Sequence, residues 1–194
     1  LGKQLARLPI DPSLGRILLE AKKENCLTEI LIIISALSIS DPRERPLEKS
    51  EQADAAHLKF HDAESGFIGF IKIWKGLQLE SKGKTSKAFR IFCQKNFLSF
   101  TRMREWQELH RQLLQITFEL DFRLNEKHST YEQIHRALLS GLLGNIGFKD
   151  SAGYEYKGTR GIKFLIGPKL FRKKNYKWML AAEIIDTGKL YAQC

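Results

Sequence analysis

The chain has 194 residues, 43% of them apolar and 28% charged, with 32 Lys/Arg against 22 Asp/Glu and a formal net charge of +10. That length and composition are those of a globular protein with a real core, in one large domain or two small ones. Three widely spaced cysteines, Cys26, Cys93 and Cys194, argue against a disulfide framework and favour a reducing, cytoplasmic setting, and no apolar run approaches the roughly 18 residues of a membrane span.

In chain order, Leu1, Leu5 and Leu8 share one helical face, and Pro9 and Pro12 end it with an extended turn between them. Ser13 is placed to cap the next helix, whose apolar stripe is Leu14, Ile17, Leu18 and Ala21. Thr28 is placed to cap a third. Leu27 to Ile39 is apolar nearly all round, the mark of a helix buried on several sides. Three short helices so spaced suit a small helical or winged-helix unit. Asp41 to Pro46 reads as a polar linker bounded by prolines.

Helical spacing then returns at Ala53, Ala56, His57 and Phe60, and again at Phe67, Phe70, Ile71, Trp74 and Leu77. Ser81 to Ser86 is a loop, and Phe89, Phe92 and Cys93 mark another short amphipathic helix. A longer pattern runs through Met103, Trp106, Leu109, Leu113, Ile116 and Leu120. With no Gly or Pro from Ser99 to Asn125, it predicts roughly six or seven turns at about 3.6 residues each, the spine of a helical bundle. Tyr131 to Leu143 is a further helix. The period then shortens to two at Ile162, Phe164 and Ile166. Tyr154 to Tyr156, Trp178 to Ile185 and Leu190 to Ala192 are further strands, so the fold class is α+β, a bundle followed by a small β-barrel.

The motif search mostly excludes chemistry. Lys82-Gly83-Lys84-Thr85 contains the end of a phosphate-binding loop, but the glycine required five residues before Gly83 is Gln78, within a helical pattern. His57 and His61 stand four apart, yet Leu58 occupies the position where the metal-binding helical motif has Glu, and no third ligand is near in sequence. No metal, no nucleophilic triad and no cofactor is expected in this chain.

What stands out is charge. Residues 134–194 hold eleven Lys/Arg and four Asp/Glu, seven of the ten excess positive charges. Lys157 to Lys177 alone carries eight cations and no carboxylate, interleaved with Phe164, Phe171 and Tyr176. Basic groups among aromatics suit the phosphates and bases of a nucleic acid. The candidate contacts are Lys157, Arg160, Lys163, Arg172, Lys173, Lys174, Tyr176 and Lys177, with Arg104 and Arg111 on the long helix. Tyr176 or Phe171 would stack a base. A solvated basic surface with core aromatics is the alternative that this stretch leaves open.

Leu1-Gly2, Leu5-Ala6, Leu8-Pro9-Ile10-Asp11-Pro12 and Leu14-Gly15, followed by Cys26, Glu29, Ile30 and Leu31, resemble the helicase-associated region of DEAH-box RNA helicases. Arg104-Glu105-Trp106, Gly141-Leu142-Leu143 through Ile146-Gly147, and the Tyr-x-Gly-x-Arg run at Tyr156 to Arg160 are similar to the bacterial, HrpA-type branch of that family. The resemblance implies a partial winged-helix domain over residues 1–45, a helical ratchet bundle over 46–130, and an OB-fold over 131–194 that is incomplete at its C-terminus. It also implies an accessory region cut from a longer ATP-dependent helicase. ATP and magnesium would bind motor domains of the same chain, so this piece alone is expected to be inactive. The partner it implies is single-stranded RNA, with DNA as the variant. A module that docks the ribosome or a regulatory protein is the competing reading, and no membrane partner is expected. The sequence departs from the family pattern twice. Gly167 to Leu170 is short and lacks a serine, and Thr187-Gly188 stands where the family has Thr-Ser; each change removes a hydroxyl suited to phosphate.

Overall fold

A computed structural model describes residues 9–81, 85–149, 155–166 and 176–193. The helix expected over Leu1 to Leu8, Lys82 to Lys84, Tyr154, the Gly167–Leu170 turn, Phe171, Arg172, Lys173 and Lys174 lie outside the described residues.

Asp11, not Ser13, caps the first described helix, α1 (Pro12–Lys23). Its Oδ1 accepts the Ser13 N–H at 2.8 Å, and Pro12 sits at the first helical position, where a missing N–H costs nothing. The next helix, α2 (Leu27–Leu37), begins at Cys26 without a side-chain cap of its own. Thr28 does not serve, since its buried hydroxyl has no hydrogen-bond partner. The missing cap comes from a hundred residues away: Asn125 Oδ1 accepts the Thr28 N–H at 2.8 Å. Within the first turn, the buried Glu29 carboxylate receives Asn125 Nδ2 at 3.0 Å and the Ser129 hydroxyl at 2.9 Å. Burial pushes the Glu29 carboxyl up, but these hydrogen bonds together outweigh it and hold the group below its ordinary value.

Helix α2 is the buried member of the bundle. Ile30, Leu31, Ile33 and Ile34 are almost wholly inaccessible, and the helix packs against α1, α4 (Gly66–Ser81) and α6 (Phe100–Glu119). Between them lie α3 (Ser50–Leu58) and α5 (Ser86–Lys95). Helix α3 stops at Leu58, so His57 and His61 do not share a helical face. His57 Nε2 instead lies 3.0 Å from the Phe97 carbonyl. The segment expected as a linker is bound in place: Glu44 N–H donates to Phe97 O, Ser99 N–H to Pro42 O, and Arg43 forms a β-bridge with Leu98. Helix α6 has 20 residues, shorter than its apolar pattern, because Leu120 and Asp121 turn out of it.

Trp106, fully buried on α6, joins it to α2. Its indole N–H lies 3.1 Å from Ile32 O and 3.0 Å from Ser35 Oγ, and its ring meets Phe70 edge-on and Trp74 at 5.2 Å. Helices α1, α5 and α6 end alike. Asn25, Phe97 and Asp121 take left-handed φ of 54°, 51° and 55°, and the following Cys26, Leu98 and Phe122 N–H groups donate back to Ala21, Cys93 and Thr117 carbonyls. Cys26, Leu98 and Phe122 are each buried, which is the hydrophobic contact this type of cap requires.

The chain divides into two compact units, Leu1–Ala137 and Leu138–Cys194. Helix α7 (Tyr131–Leu142) and a 3-10 turn at Leu143–Asn145 lead into a six-stranded sheet. Its strands are β1 (Ile146–Phe148), β2 (Glu155–Lys157), β3 (Lys163–Ile166), β4 (Trp178–Leu180), β5 (Glu183–Asp186) and β6 (Leu190–Gln193), in the order β4-β1-β2-β3-β6-β5. Only the β3–β6 pairing is parallel. The single strand expected from Trp178 to Ile185 is two. Ala181 N–H donates to Asn145 O at 3.1 Å beside β1, whereas Ala182 N–H donates to Gln193 O at 2.8 Å beside β6. The chain therefore leaves one end of the sheet and joins the other within one residue. Tyr156, Phe164, Ile166, Ala181 and Ala192 form the core against one face. Gly147 is required beside it, since a Cβ there would collide with the Phe164 ring.

Trp106→Phe removes the indole donor from two buried acceptors and leaves part of its volume empty. Unfolding in denaturant is expected to show a loss of about 2–3 kcal/mol. Asp121→Gly relieves a left-handed residue at an exposed cap, and the same measurement is expected to show stability unchanged or raised by up to about 1 kcal/mol.

Candidate nucleic-acid interface

Strand register decides which side chains of the second unit share a face. Phe148 lies directly opposite Trp178 on one side and Lys157 on the other, and Lys157 lies opposite Lys163. Directly paired residues point the same way, so Trp178, Phe148, Lys157 and Lys163 form one row across β4, β1, β2 and β3. The buried Tyr156 and Phe164 occupy the alternate positions, which puts the row on the face away from the core. At about 4.8 Å between strands the row spans roughly 14 Å.

Trp178 is 62% exposed, and its ring centroid lies 4.7 Å from that of Phe148. Lys177 Nζ lies 5.6 Å from the Phe148 centroid, within cation–π range. Lys163 Nζ lies 3.7 Å from Glu155 Oε2, an open surface pair of small energetic value. Between β2 and β3 the chain turns through Thr159–Gly161, where Arg160 takes φ 55° and its side chain is exposed. A left-handed arginine is strained, and here the strain accompanies a turn that leaves the side chain in solvent. The turn is held from beneath by Gly158 N–H to Ile162 O at 2.8 Å and by Thr159 Oγ1 to Gly144 O at 2.8 Å.

Tyr176 is half-buried. Its carbonyl accepts the hydroxyl of the buried Tyr156 at 2.7 Å, and burial pushes the Tyr156 phenol above its ordinary value. Lys157, Arg160, Lys163, Tyr176 and Lys177 thus belong to one unit, around one row and one turn. At the β5–β6 hairpin, Gly188 takes φ 86°, and its N–H donates to Asp186 Oδ1 at 2.9 Å. Glycine meets the backbone demand of that turn at a site where a serine would be strained.

Arg104 and Arg111 lie on the first unit, on one exposed face of α6, where a shallow groove also includes Phe100 and Glu108. Arg111 is held by Glu108 through contacts of 2.6 and 3.2 Å, and its hydrogen bond keeps the Glu108 carboxyl below its ordinary value. Arg104 lies 6.0 Å and Arg90 4.4 Å from the Phe100 ring centroid. His110 adds no charge near pH 7, because burial beside Trp74 pushes it down to about 4. This face is mixed in sign, unlike the row on the sheet. Among the described residues, no three His, Cys, Asp or Glu side chains are grouped to hold a metal, and no helix is long and apolar enough to cross a membrane.

Sequence reasoning notes Trp178 only as an aromatic beside the basic stretch, without a contact role, and passes over Phe148 altogether. Trp178-Met179-Leu180 is apolar throughout, so nothing in it says which parity faces water. A usable signal was present in the glycine at 147, which marks the crowded face of β1 and so turns Phe148 outward.

Comparison with known proteins gives the arrangement its context. Residues 11–109 match the helicase associated domain (HA2), ratchet-like. The chain is 46% identical over its whole length to the ATP-dependent RNA helicase HrpA of Escherichia coli (strain K12), and 44% identical over 99% of its length to the HrpA homolog of Haemophilus influenzae. It is 27% identical over 98% of its length to the ATP-dependent RNA helicase DHX33 of Drosophila melanogaster. The chain spans 15% of the length of each bacterial relative and 27% of the fly protein. The resemblance to HrpA-type DEAH-box helicases read from the sequence therefore extends from one end of the chain to the other.

Arg160→Gly removes the cation and the strain together. Thermal unfolding is expected to stay level or move up by no more than about 1 kcal/mol in equivalent stability, while affinity for a single-stranded oligonucleotide falls in the same preparation.

Proposed function

The chain belongs to the helicase associated domain (HA2), ratchet-like family, and from that premise we propose that it is the accessory RNA-binding region of an ATP-dependent DEAH-box RNA helicase. In this reading it guides single-stranded RNA toward motor domains of the same protein, which bind ATP and magnesium in the cytoplasm. The carrying observation is the 46% identity over the whole chain to a bacterial RNA helicase. Taken alone, these residues hydrolyse no nucleotide.

The proposed parts are a winged-helix portion over residues 1–45, the ratchet bundle over 46–130, and an OB-fold over 131–194. Support for the last comes from strand connectivity. Counting Trp178 to Asp186 as one strand bent at Ala181-Ala182 leaves five strands. β1, β2 and β3 form a meander, β3 pairs in parallel with β6, and the bent strand pairs with β6 at one end and β1 at the other. That circuit is the one a five-stranded OB barrel uses, and such barrels grip single strands with basic and aromatic side chains. The proposed contacts are Lys157, Arg160, Lys163, Arg172, Lys173, Lys174, Tyr176 and Lys177, with Arg104 and Arg111 on the bundle.

Two measurements test this. Binding of a labelled single-stranded RNA is expected to weaken with salt, with a slope of about −0.7 per neutralised phosphate, and Lys157→Ala/Lys163→Ala is expected to flatten that slope by about 1.4. RNA-stimulated ATPase activity of the full-length protein is expected to drop when residues 138–194 are deleted. No oligonucleotide binding at low salt would overturn the reading in favour of a module that docks the ribosome or a regulatory protein.

A further inference from the structure

We propose that the Trp178–Phe148 pair is a base-stacking platform on the outer face of the sheet, with Lys157 and Lys163 taking the phosphates of the strand that crosses it. The inference rests on the RNA-binding reading above and assigns the base contact to two aromatics outside the basic cluster.

Trp178 leaves much of a large aromatic ring in water, forgoing burial that the other two tryptophans obtain: Trp74 is 6% exposed and Trp106 not at all. An indole carries one of the largest apolar surfaces of any side chain, and paired with Phe148 on a regular strand it offers a flat apolar surface that a ligand can cover. Its surroundings select the cover. Along the row the neighbours of the aromatic pair are lysines, Lys157 and then Lys163, and Lys177 Nζ lies 5.6 Å from the Phe148 ring centroid. Glu155 faces Lys163 in an open pair that a phosphate can displace. An aromatic face flanked by cations fits a ligand that alternates flat rings with negative charge, which is a single-stranded nucleic acid. The backbone under the pair is set by strand pairing and not by a loop, so little backbone order has to be gained on binding. Stacking accepts any base, so the platform predicts binding with weak sequence preference.

Trp178 reports on itself, because it is the one exposed tryptophan among three. The 194-residue chain is titrated with a short oligouridylate and with an abasic ribose-phosphate oligomer of equal length, and tryptophan emission and affinity are both followed. Trp178→Ala supplies the emission of the two buried indoles, and Trp178→Phe keeps a ring at the site. The oligouridylate is expected to quench the Trp178 component and the abasic oligomer to leave it unchanged. Trp178→Ala is expected to weaken oligouridylate binding about tenfold with little change for the abasic oligomer, and Trp178→Phe to recover most of the loss. Lys157→Ala/Lys163→Ala is expected to weaken both ligands. If the oligouridylate binds while Trp178→Ala leaves its affinity unchanged, the platform is wrong and the RNA-binding reading survives. If neither oligomer binds, both fall. Equal quenching by polyglutamate would assign the face to an acidic protein and overturn the platform.

Discussion

The hydrogen bonds of the Trp106 indole set the frame of the first unit. Helix α2 is apolar on almost every side, so hydrophobic burial alone would let it rotate or slide among its neighbours with little penalty. A buried N–H admits no such freedom, because it must find an acceptor in the interior. Trp106 finds Ile32 O and Ser35 Oγ, and Ser35 in turn donates to Leu31 O at 2.6 Å. These contacts fix the register of α6 on α2, and the ring contacts to Phe70 and Trp74 carry the same register to α4. The outer face of α6, with Arg104 and Arg111, is the geometric consequence: a helix whose Met103, Trp106 and Leu113 face inward presents those arginines to solvent.

In the second unit the equivalent constraint is parity. Gly147 and Tyr156 admit the Phe164 ring on one face, and every residue of alternate parity is thereby committed to the other. Trp178, Phe148, Lys157 and Lys163 share that face because the strands pair in this register. A slip of one residue would bury the lysines and expose the core aromatics. The functional surface and the core are thus set by the same choice, and the carboxyl-poor composition of the last third falls on the solvent side of it.

Much of the bundle is legible from the chain because helical periodicity is a local signal: α2, α4 and α6 appear at their apolar stripes, and the nearly uniform apolarity of Leu27 to Ile39 already marks a buried helix. The ends are less legible. Ser13 has the right side chain for a cap, but Asp11, two residues earlier, takes the bond. Thr28 is equally suitable on paper, and Asn125 caps the helix from across the unit. Three helices close on Asn25, Phe97 and Asp121 without glycine. Burial of Cys26, Leu98 and Phe122 compensates for the left-handed residue before each. In the sheet, Trp178 to Ile185 has the composition of a strand, yet it breaks at Ala181-Ala182 because its halves pair with different partners. For the candidate site, Lys157, Arg160, Lys163 and Lys177 were visible as charge, whereas Phe148 and Trp178 were hidden in runs with no polar residue to reveal a face.

By itself the sequence determined the identity of the family, the succession of helices and then strands, and the concentration of positive charge in the last third. Each is carried by residue type and local spacing, which survive without any knowledge of contacts. Tertiary structure alone decided which aromatic faces water, where the helices stop, and that the lysines and Trp178 stand in one row. Those outcomes depend on pairing between residues far apart in the chain, where the cost of an unmet hydrogen bond or a crowded ring selects one register among several that the local pattern allows.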